Sequence, residues 1–425
     1  MNENKTYKKG GTATLIKMAY RNIWRNIRRT LFCFTAVGLA VLFIVFFSSL
    51  IEGMVISVNK TVQVYEYGHV SVVSKQYNAE SEYMPVQFPV EDGKNWKELA
   101  ADINKIPGVR AVLPRITTMA TLQDSTVKHA FLWGLDIENE MSANNFNMVN
   151  RNDGLIEGRW PEKGANEIAV GYAFAKKAEL KTGDRLLFKT ISAQYSEKFL
   201  RPQITGIFNF DYLKLDENYI VMDIERLQNL LVLEEGTQTL VIFADDDSQS
   251  GAIASQLNSI LGEKNTIKQW DENFLVNVLH TTNMLFKIIF VIFIIIACFL
   301  IINTIVMIIH ERIKEIGMMG CLGMTRAEIV NVFFFESLFL SAIGAFAGVV
   351  IGGITTGILS HFPFRIFEQF GSTFSEMPVS SAIFLHFNPS TLFQTWLLGV
   401  VVASIFTLIP SLKSAFVEPV EALRR

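Results

Sequence analysis

Only three of the 425 residues are cysteine, and neither sign of charge dominates, with 38 lysines and arginines against 41 aspartates and glutamates. A formal net charge of −3 is too small to draw a polyanion, so no nucleic-acid partner is expected. Cys33 and Cys298 fall inside apolar runs and Cys321 in a short polar connection, leaving the longest hydrophilic stretch without a thiol. That stretch must fold on its core, with no disulfide framework to help. The sequence also lacks a G-x-x-x-x-G-K-[ST] phosphate loop and a G-x-S-x-G elbow, and "HERIK" at residues 310–314 lacks the second histidine of a zinc-protease helix. No catalytic, cofactor-binding or metal-ligating residue is assigned, and an ATP-driven activity would need its ATPase on another chain.

What the chain has instead is apolar length. Charge-free runs cover residues 31–51, 288–309, 337–360 and 391–412, each able to cross about 30 Å of hydrocarbon at 1.5 Å per residue. Four spans are predicted, the third entered from the cytoplasm at residue 329. Lys5, Lys8, Lys9, Lys17, Arg21, Arg25, Arg28 and Arg29 precede the first, whereas residues 361–390 between the third and fourth carry only Arg365. With Arg312, Lys314 and Arg326 after the second span and Lys413, Arg424 and Arg425 in the tail, the positive-inside rule puts both termini in the cytoplasm. It puts residues 52–287 outside. No small-residue cleavage site follows the first span, which is therefore read as a retained anchor.

Residues 1–30 read as a cytoplasmic amphipathic helix along the inner membrane face. Leu15, Ile16, Ala19, Ile23, Trp24 and Ile27 recur at helical spacing opposite Lys17, Arg21, Arg25 and Arg28. In the outside region, residues 69–75 alternate like a strand, residues 96–106 read as a helix, and Pro107-Gly108 leads into a strand at 109–112. The pattern recurs with a strand at 239–243, a helix at 252–261 and a strand at 266–269. Asp245, Asp246, Asp247 and Ser248 offer helix caps, favoured over a cation site. These two β-α-β pieces flank a mainly β insertion, about residues 119–236. The fold class expected is an α-helical four-span membrane domain plus a mixed α/β extracytoplasmic domain carrying that insertion.

Residues 310–328 lie between the second and third spans, where buried charges would be costly, so the segment is placed in water at the membrane face. Glu311, Arg312, Lys314 and Glu315 can meet a soluble partner through charge. Gly317 and Gly323, with Gly320, allow close approach or a sharp turn, and Thr325 can cap the next helix. A push there would move both flanking spans. Gly344, Gly348 and Gly352 recur every fourth residue in the third span, a stripe suited to close helix packing, within a subunit in preference to between subunits. Glu336 reads either as half of an ion pair or as an interfacial carboxylate, and Lys287 as a snorkelling lysine before a headgroup ligand.

The segments "AYRNIWRNIRRT", "GRWPEKGANEIAVGYAFAKKAELKTGDRL", "ERIKEIGMMGCLGMTRAEIVNVFFFES" and "PSLKSAFVEPVEALRR" together resemble the MacB/FtsX/Lol superfamily of ABC-transporter permeases, the type VII fold. The resemblance implies a dimer with a second permease subunit, the same or a related chain. It also implies a cytoplasmic ABC ATPase dimer that binds ATP and Mg, none of it held by this chain. "GHV" at residues 68–70 and "FLWGLD" at 131–136 look more like lipoprotein-releasing LolC/LolE-type permeases. That likeness implies an inner-membrane location, a lipoprotein or lipid cargo and a periplasmic carrier. MacB-like efflux of small amphiphiles or peptides, and FtsX-like signalling to an external hydrolase, stay open as alternatives.

Overall fold

A computed structural model describes residues 11–25, 27–77, 84–90, 95–123, 125–143, 154–272, 313–365 and 382–415, with scattered helical residues between 284 and 299. Its helices are α1 (Thr12–Arg25), α2 (Ile27–Thr61), α3 (Trp96–Ile103), α4 (Ile137–Ala143), α5 (Tyr172–Ala178), α6 (Leu213–Asn218), α7 (Ile224–Leu231), α8 (Ser250–Leu261), α9 (Ile313–Cys321), α10 (Arg326–Leu359) and α11 (Pro389–Ala415). The chain divides into two compact units. One comprises Met1–Gly53, Asn283–Phe362 and Phe384–Arg425, the other Met54–Thr282 and Pro363–Ile383.

The first unit is helical. Among the described residues, two helices are long and apolar enough to cross a membrane, Thr30–Tyr67 and Arg326–Leu359, and Pro389–Ile405 is a shorter apolar helix. The second predicted span, residues 288–309, lies largely outside the described residues. Helix α1 buries Leu15, Ala19 and Ile23, an i, i+4, i+8 stripe on one face, and its Tyr20 meets Phe339 of α10 edge to face at 6.4 Å. The buried stripe is narrower than the sequence periodicity suggests, because Trp24 is 65% exposed. Thr30 Oγ1 donates to the Ile23 carbonyl at 2.7 Å across the α1–α2 break.

The second unit is built on one eleven-stranded sheet. Its strands are β1 (Val70–Ser74), β2 (Val109–Leu122), β3 (His129–Leu135), β4 (Leu155–Gly158), β5 (Glu167–Gly171), β6 (Phe188–Ile191), β7 (Glu197–Leu200), β8 (Gln203–Phe208), β9 (Tyr219–Asp223), β10 (Thr239–Ala244) and β11 (Asn265–Gln269). The order is β11-β1-β10-β2-β3-β9-β5-β8-β4, with β6 and β7 added beside β2. Strand β1 lies between β10 and β11, antiparallel to both, while β3–β9 and β5–β8 are parallel.

The two β-α-β pieces therefore interleave: β10 separates β1 from β2. Their helices α3 and α8 bury Leu99, Ile103, Leu257 and Leu261 against Val70, Val72, Leu240 and Ile242. Asn95 starts α3 by accepting the Glu98 amide at 2.9 Å. Asp246 accepts the Ser248 amide at 2.8 Å ahead of α8, satisfying donors that a helix start leaves open. Strand β2 does not stop near residue 112 but runs fourteen residues to Leu122, carrying the sheet straight into residues 119–236. Among its described residues that insertion holds four helices, α4–α7, beside seven strands. A second core forms there around Ile116, Leu132, Phe174, Phe188, Ile220 and Leu227. Each fully buried phenylalanine contributes about 1.5–3 kcal/mol. Residues read from sequence as a plain external connection return to this unit: Phe364 bridges Ile383, and Arg365 lies 3.8 Å from Asp211.

Candidate functional site

Of the expected coupling residues, Glu311 and Arg312 lie outside the described residues. Lys314, Glu315 and Gly317 fall on α9, with Gly317 buried. The helix ends at Gly323, whose φ of +90° only glycine adopts freely. The Gly323 amide donates to the Gly320 carbonyl and the Met324 amide to the Met319 carbonyl, both at 3.1 Å, the paired closure of a Schellman C-cap. Two residues on, Thr325 opens α10 with a capping box: its hydroxyl accepts the Glu328 amide, and the Glu328 carboxylate accepts the Thr325 amide. Met319, Met324, Ile329 and Phe333 pack inside the bend. The segment is thus a stiff elbow. Sequence reasoning centred on its charges and missed an apolar ridge, in which Met318 is 51% and Leu322 84% exposed. The i, i+4 spacing of these two large residues was the available signal.

The glycine stripe of α10 faces α2. A Cβ on Gly348 would stand 2.3 Å from the Gly38 carbonyl oxygen, one on Gly344 3.0 Å from that of Phe34, and one on Gly352 3.1 Å from Val45 Cβ. The two backbones approach so closely that no side chain fits between them. Glu336 of α10 is buried. At the other end of this unit, Glu52 accepts from Asn388 Nδ2 at 3.0 Å and Thr391 Oγ1 at 3.2 Å.

In the second unit, charge is concentrated where α2 ends. From Val62 to Tyr67 its backbone widens into a π-helical turn, which closes at Gly68 with φ +66°. Arg115 of β2 is 3% exposed and Glu140 of α4 fully buried. The Arg115 guanidinium donates to Glu140 at 2.6 and 3.0 Å, and to the carbonyls of Tyr65 at 2.9 Å and Val64 at 2.8 Å. Trp133 and Phe243 lie 5.3 and 5.8 Å from it. The next residue, Glu66, accepts from Lys214 Nζ at 2.7 Å and Tyr212 Oη at 2.8 Å. Burial alone would push the Glu66 carboxyl up, but the Lys214 charge and hydrogen bond, with the Tyr212 hydroxyl, hold it below the usual carboxylate value. Lys214 is desolvated too, yet the Glu66 charge leaves its pKa raised.

Beyond the turn, His69 Nε2 meets Asp247 Oδ1 at 3.0 Å. Desolvation lowers its pKa against the opposing pull of Asp247. Asp246 is therefore occupied by a cap and Asp247 by a hydrogen bond with His69, and no group of metal-ligating side chains is present among the described residues. A cavity of about 240 Å³ opens among Pro85, Phe88, Met119, Ile191 and Tyr195, below the about 300–1,000 Å³ usual for ligand sites. The charged groups around the turn hold backbone in place through ion pairs and hydrogen bonds.

The described residues thus comprise a helical unit with a stiff elbow and a sheet-based unit whose Arg115 and Lys214 hold the turn from Val62 to Tyr67. Residues 30–260 match the MacB-like periplasmic core domain, over half the chain, and residues 287–419 match the FtsX-like permease C-terminal domain. The chain belongs to the MacB/FtsX/Lol superfamily of ABC-transporter permeases, inner-membrane proteins with a periplasmic domain that work with an ATPase partner. It is 23% identical to the lipoprotein-releasing system transmembrane protein LolE of Haemophilus influenzae over 345 residues, 77% of this chain and 80% of that one. It is likewise 23% identical to the corresponding LolC protein of Xylella fastidiosa over 343 residues, 78% and 81% of the two chains. The crystal structure of the periplasmic region of MacB from Actinobacillus actinomycetemcomitans superposes with a TM-score of 0.34 at 11% identity, covering 50% of this chain and 92% of that one.

Proposed function

We propose that this chain is a permease subunit that turns ATP hydrolysis by a separate cytoplasmic ABC ATPase pair into periplasmic movement, and that its cargo is a lipoprotein drawn from the inner membrane. The observation that carries this reading is the likeness to lipoprotein-releasing LolE and LolC proteins across more than three quarters of both chains. In this reading the subunit has four spans and cytoplasmic termini. It pairs with a second permease subunit and takes the ATPase on the elbow of α9 and α10. ATP and Mg sit on the ATPase, not on this chain. Each methylene drawn from the bilayer costs about 0.8 kcal/mol, so a multiply acylated cargo needs external work of the kind an ATPase supplies.

The test is reconstitution of the chain with its ATPase, a second permease subunit and a periplasmic carrier, in proteoliposomes preloaded with a triacylated lipoprotein. ATP-dependent release of the lipoprotein is expected. Export of a non-lipidated amphiphile with no release across a panel of lipoproteins would overturn the cargo assignment. It would instead favour the reading suggested by the 28% identity to the macrolide export protein MacB of Pectobacterium atrosepticum over 123 residues.

A further inference from the structure

From Asn4 to Ile51 the chain carries eight lysines and arginines and not one aspartate or glutamate. The positive-inside rule accounts for the sign of that charge and is indifferent to its arrangement. On α1 the arrangement is specific. Leu15, Ala19 and Ile23 are buried, and Tyr20 meets Phe339 of α10 edge to face, so the rotation of α1 about its axis is set. Lys17, Tyr20, Arg21 and Trp24 are all left exposed. Lys17 with Tyr20, and Arg21 with Trp24, are three residues apart, and Lys17 with Arg21, and Tyr20 with Trp24, are four apart. Those spacings make the four side chains neighbours in one patch, cations along one edge and aromatic rings along the other. Neither Lys17 nor Arg21 forms an ion pair among the described residues. The bond from Thr30 to the Ile23 carbonyl holds the end of α1 at the start of the long apolar run, the depth at which headgroups lie. Tyrosine and tryptophan favour that depth, since each has an apolar body and a polar tip. A guanidinium matches a phosphate through paired hydrogen bonds, and a lysine adds a point charge. In a phosphatidylcholine headgroup the choline cation cancels the phosphate and repels both residues, whereas a net-anionic headgroup keeps its full attraction.

We infer that this patch is a binding site for an anionic phospholipid of the cytoplasmic leaflet, its phosphate between Lys17 and Arg21 and its glycerol end against Trp24. The inference rests on the cytoplasmic N-terminus of the reading above for the choice of leaflet alone. It is independent of the ATPase and of the cargo.

The experiment places the full-length chain in phosphatidylcholine bilayers with a minor fraction of phosphatidylglycerol or phosphatidylcholine brominated on its acyl chains. Bromine quenches tryptophan at close range, so the fluorescence lost by the parent but not by Trp24→Phe reports lipid at this face. Phosphatidylglycerol quenches Trp24 about threefold or more beyond phosphatidylcholine, and high salt reduces that preference. Lys17→Gln with Arg21→Gln brings the two lipids level and leaves thermal unfolding near that of the parent. Lys17→Arg with Arg21→Lys keeps the charge and keeps the preference. Equal quenching of Trp24 by the two lipids in the parent overturns the site, as does a preference that survives the loss of both charges. In the latter case, ATPase binding lost in the same variant assigns the patch to the ATPase instead. Should the double variant fold poorly, the parent decides through its salt dependence, a preference unmoved by salt overturning the site. The quenching assay contains neither ATPase nor lipoprotein, so its failure leaves the permease reading standing, and that reading fails in the reconstitution above.

Discussion

The two units solve the problem of holding helices in opposite ways. In the first, α2 and α10 are fastened by what is missing: at Gly38, Gly344 and Gly348 the backbones touch because there are no side chains between them. In the second, the end of α2 is fastened by the buried Arg115–Glu140 pair with the two carbonyls that Arg115 reaches, and by the partly buried Glu66–Lys214 pair. In a membrane there is no hydrophobic driving force between helices, so close van der Waals packing has to supply the attraction. In a water-exposed sheet domain the core already supplies it, and charge is left to set orientation. The difference teaches that the membrane helices are held by shape and the periplasmic turn by directed bonds.

That contrast can be broken first where Arg115 holds the turn. Glu140→Ala strands the Arg115 charge and should cost about 3–5 kcal/mol, whereas Arg115→Met with Glu140→Leu removes both charges and should cost less, about 1–3 kcal/mol for the buried Tyr65 carbonyl left without its donor. Thermal unfolding in nanodiscs compares them, and equal costs for the single and double variants would mean that directed charge is not what matters there. Next comes the helix seam. Gly348→Val drives a side chain into the Gly38 carbonyl and should cost about 1–3 kcal/mol. Gly357→Ala, whose nearest neighbour would be Phe387 at 3.7 Å, should leave the unfolding temperature unchanged or raise it.

A smaller effect is expected at the elbow. Gly323→Ala meets nothing within 4 Å, so its cost of about 1–2 kcal/mol comes from the left-handed backbone alone. Thr325→Ala should cost about 1 kcal/mol through the lost cap. Proteolytic sensitivity of the segment reads both changes. The smallest effect is on pH dependence. The folded state lowers the His69 pKa from 6.5, so the unfolded chain takes up its proton first and stability declines as pH falls from 6.5 towards the folded value. The Glu66 contribution, with its pKa lowered from 4.5, is fully present above that pH and is lost as pH falls through the folded value. His69→Gln should abolish the first decline and spare the second in a series of melting curves against pH.

Much of this was legible in the residues. Strand β1 and helices α3 and α8 show clean periodicity and capping side chains, and the long apolar runs announce α2, α10 and α11. The glycine spacing marked the seam, and Gly323 and Thr325 marked the elbow. What stayed hidden depends on contacts far apart in sequence. Arg115, inside the run Val109–Leu122, looks like a polar residue on a solvent face. Its burial follows from Glu140, twenty-five residues on, and from carbonyls fifty residues back. The segment Val62–Tyr67 carries no capping or glycine signal of its own, and its π turn meets Arg115 and Lys214, residues far away in sequence. The full length of β2 was hidden as well, since Thr117, Thr118 and Thr121 favour a strand without saying which sheet it joins.

The elbow bears on how this gene can drift. Between Met319 and Glu328 the backbone is pinned at Met319, Gly320, Gly323 and Met324 by the Schellman closure and at Thr325 and Glu328 by the capping box. An α-helix turns about 100° per residue, so one inserted or deleted codon would swing the ridge of Met318 and Leu322 by that angle, whatever amino acid it encoded. Point substitutions should therefore accumulate in this stretch of descendants long before its length changes.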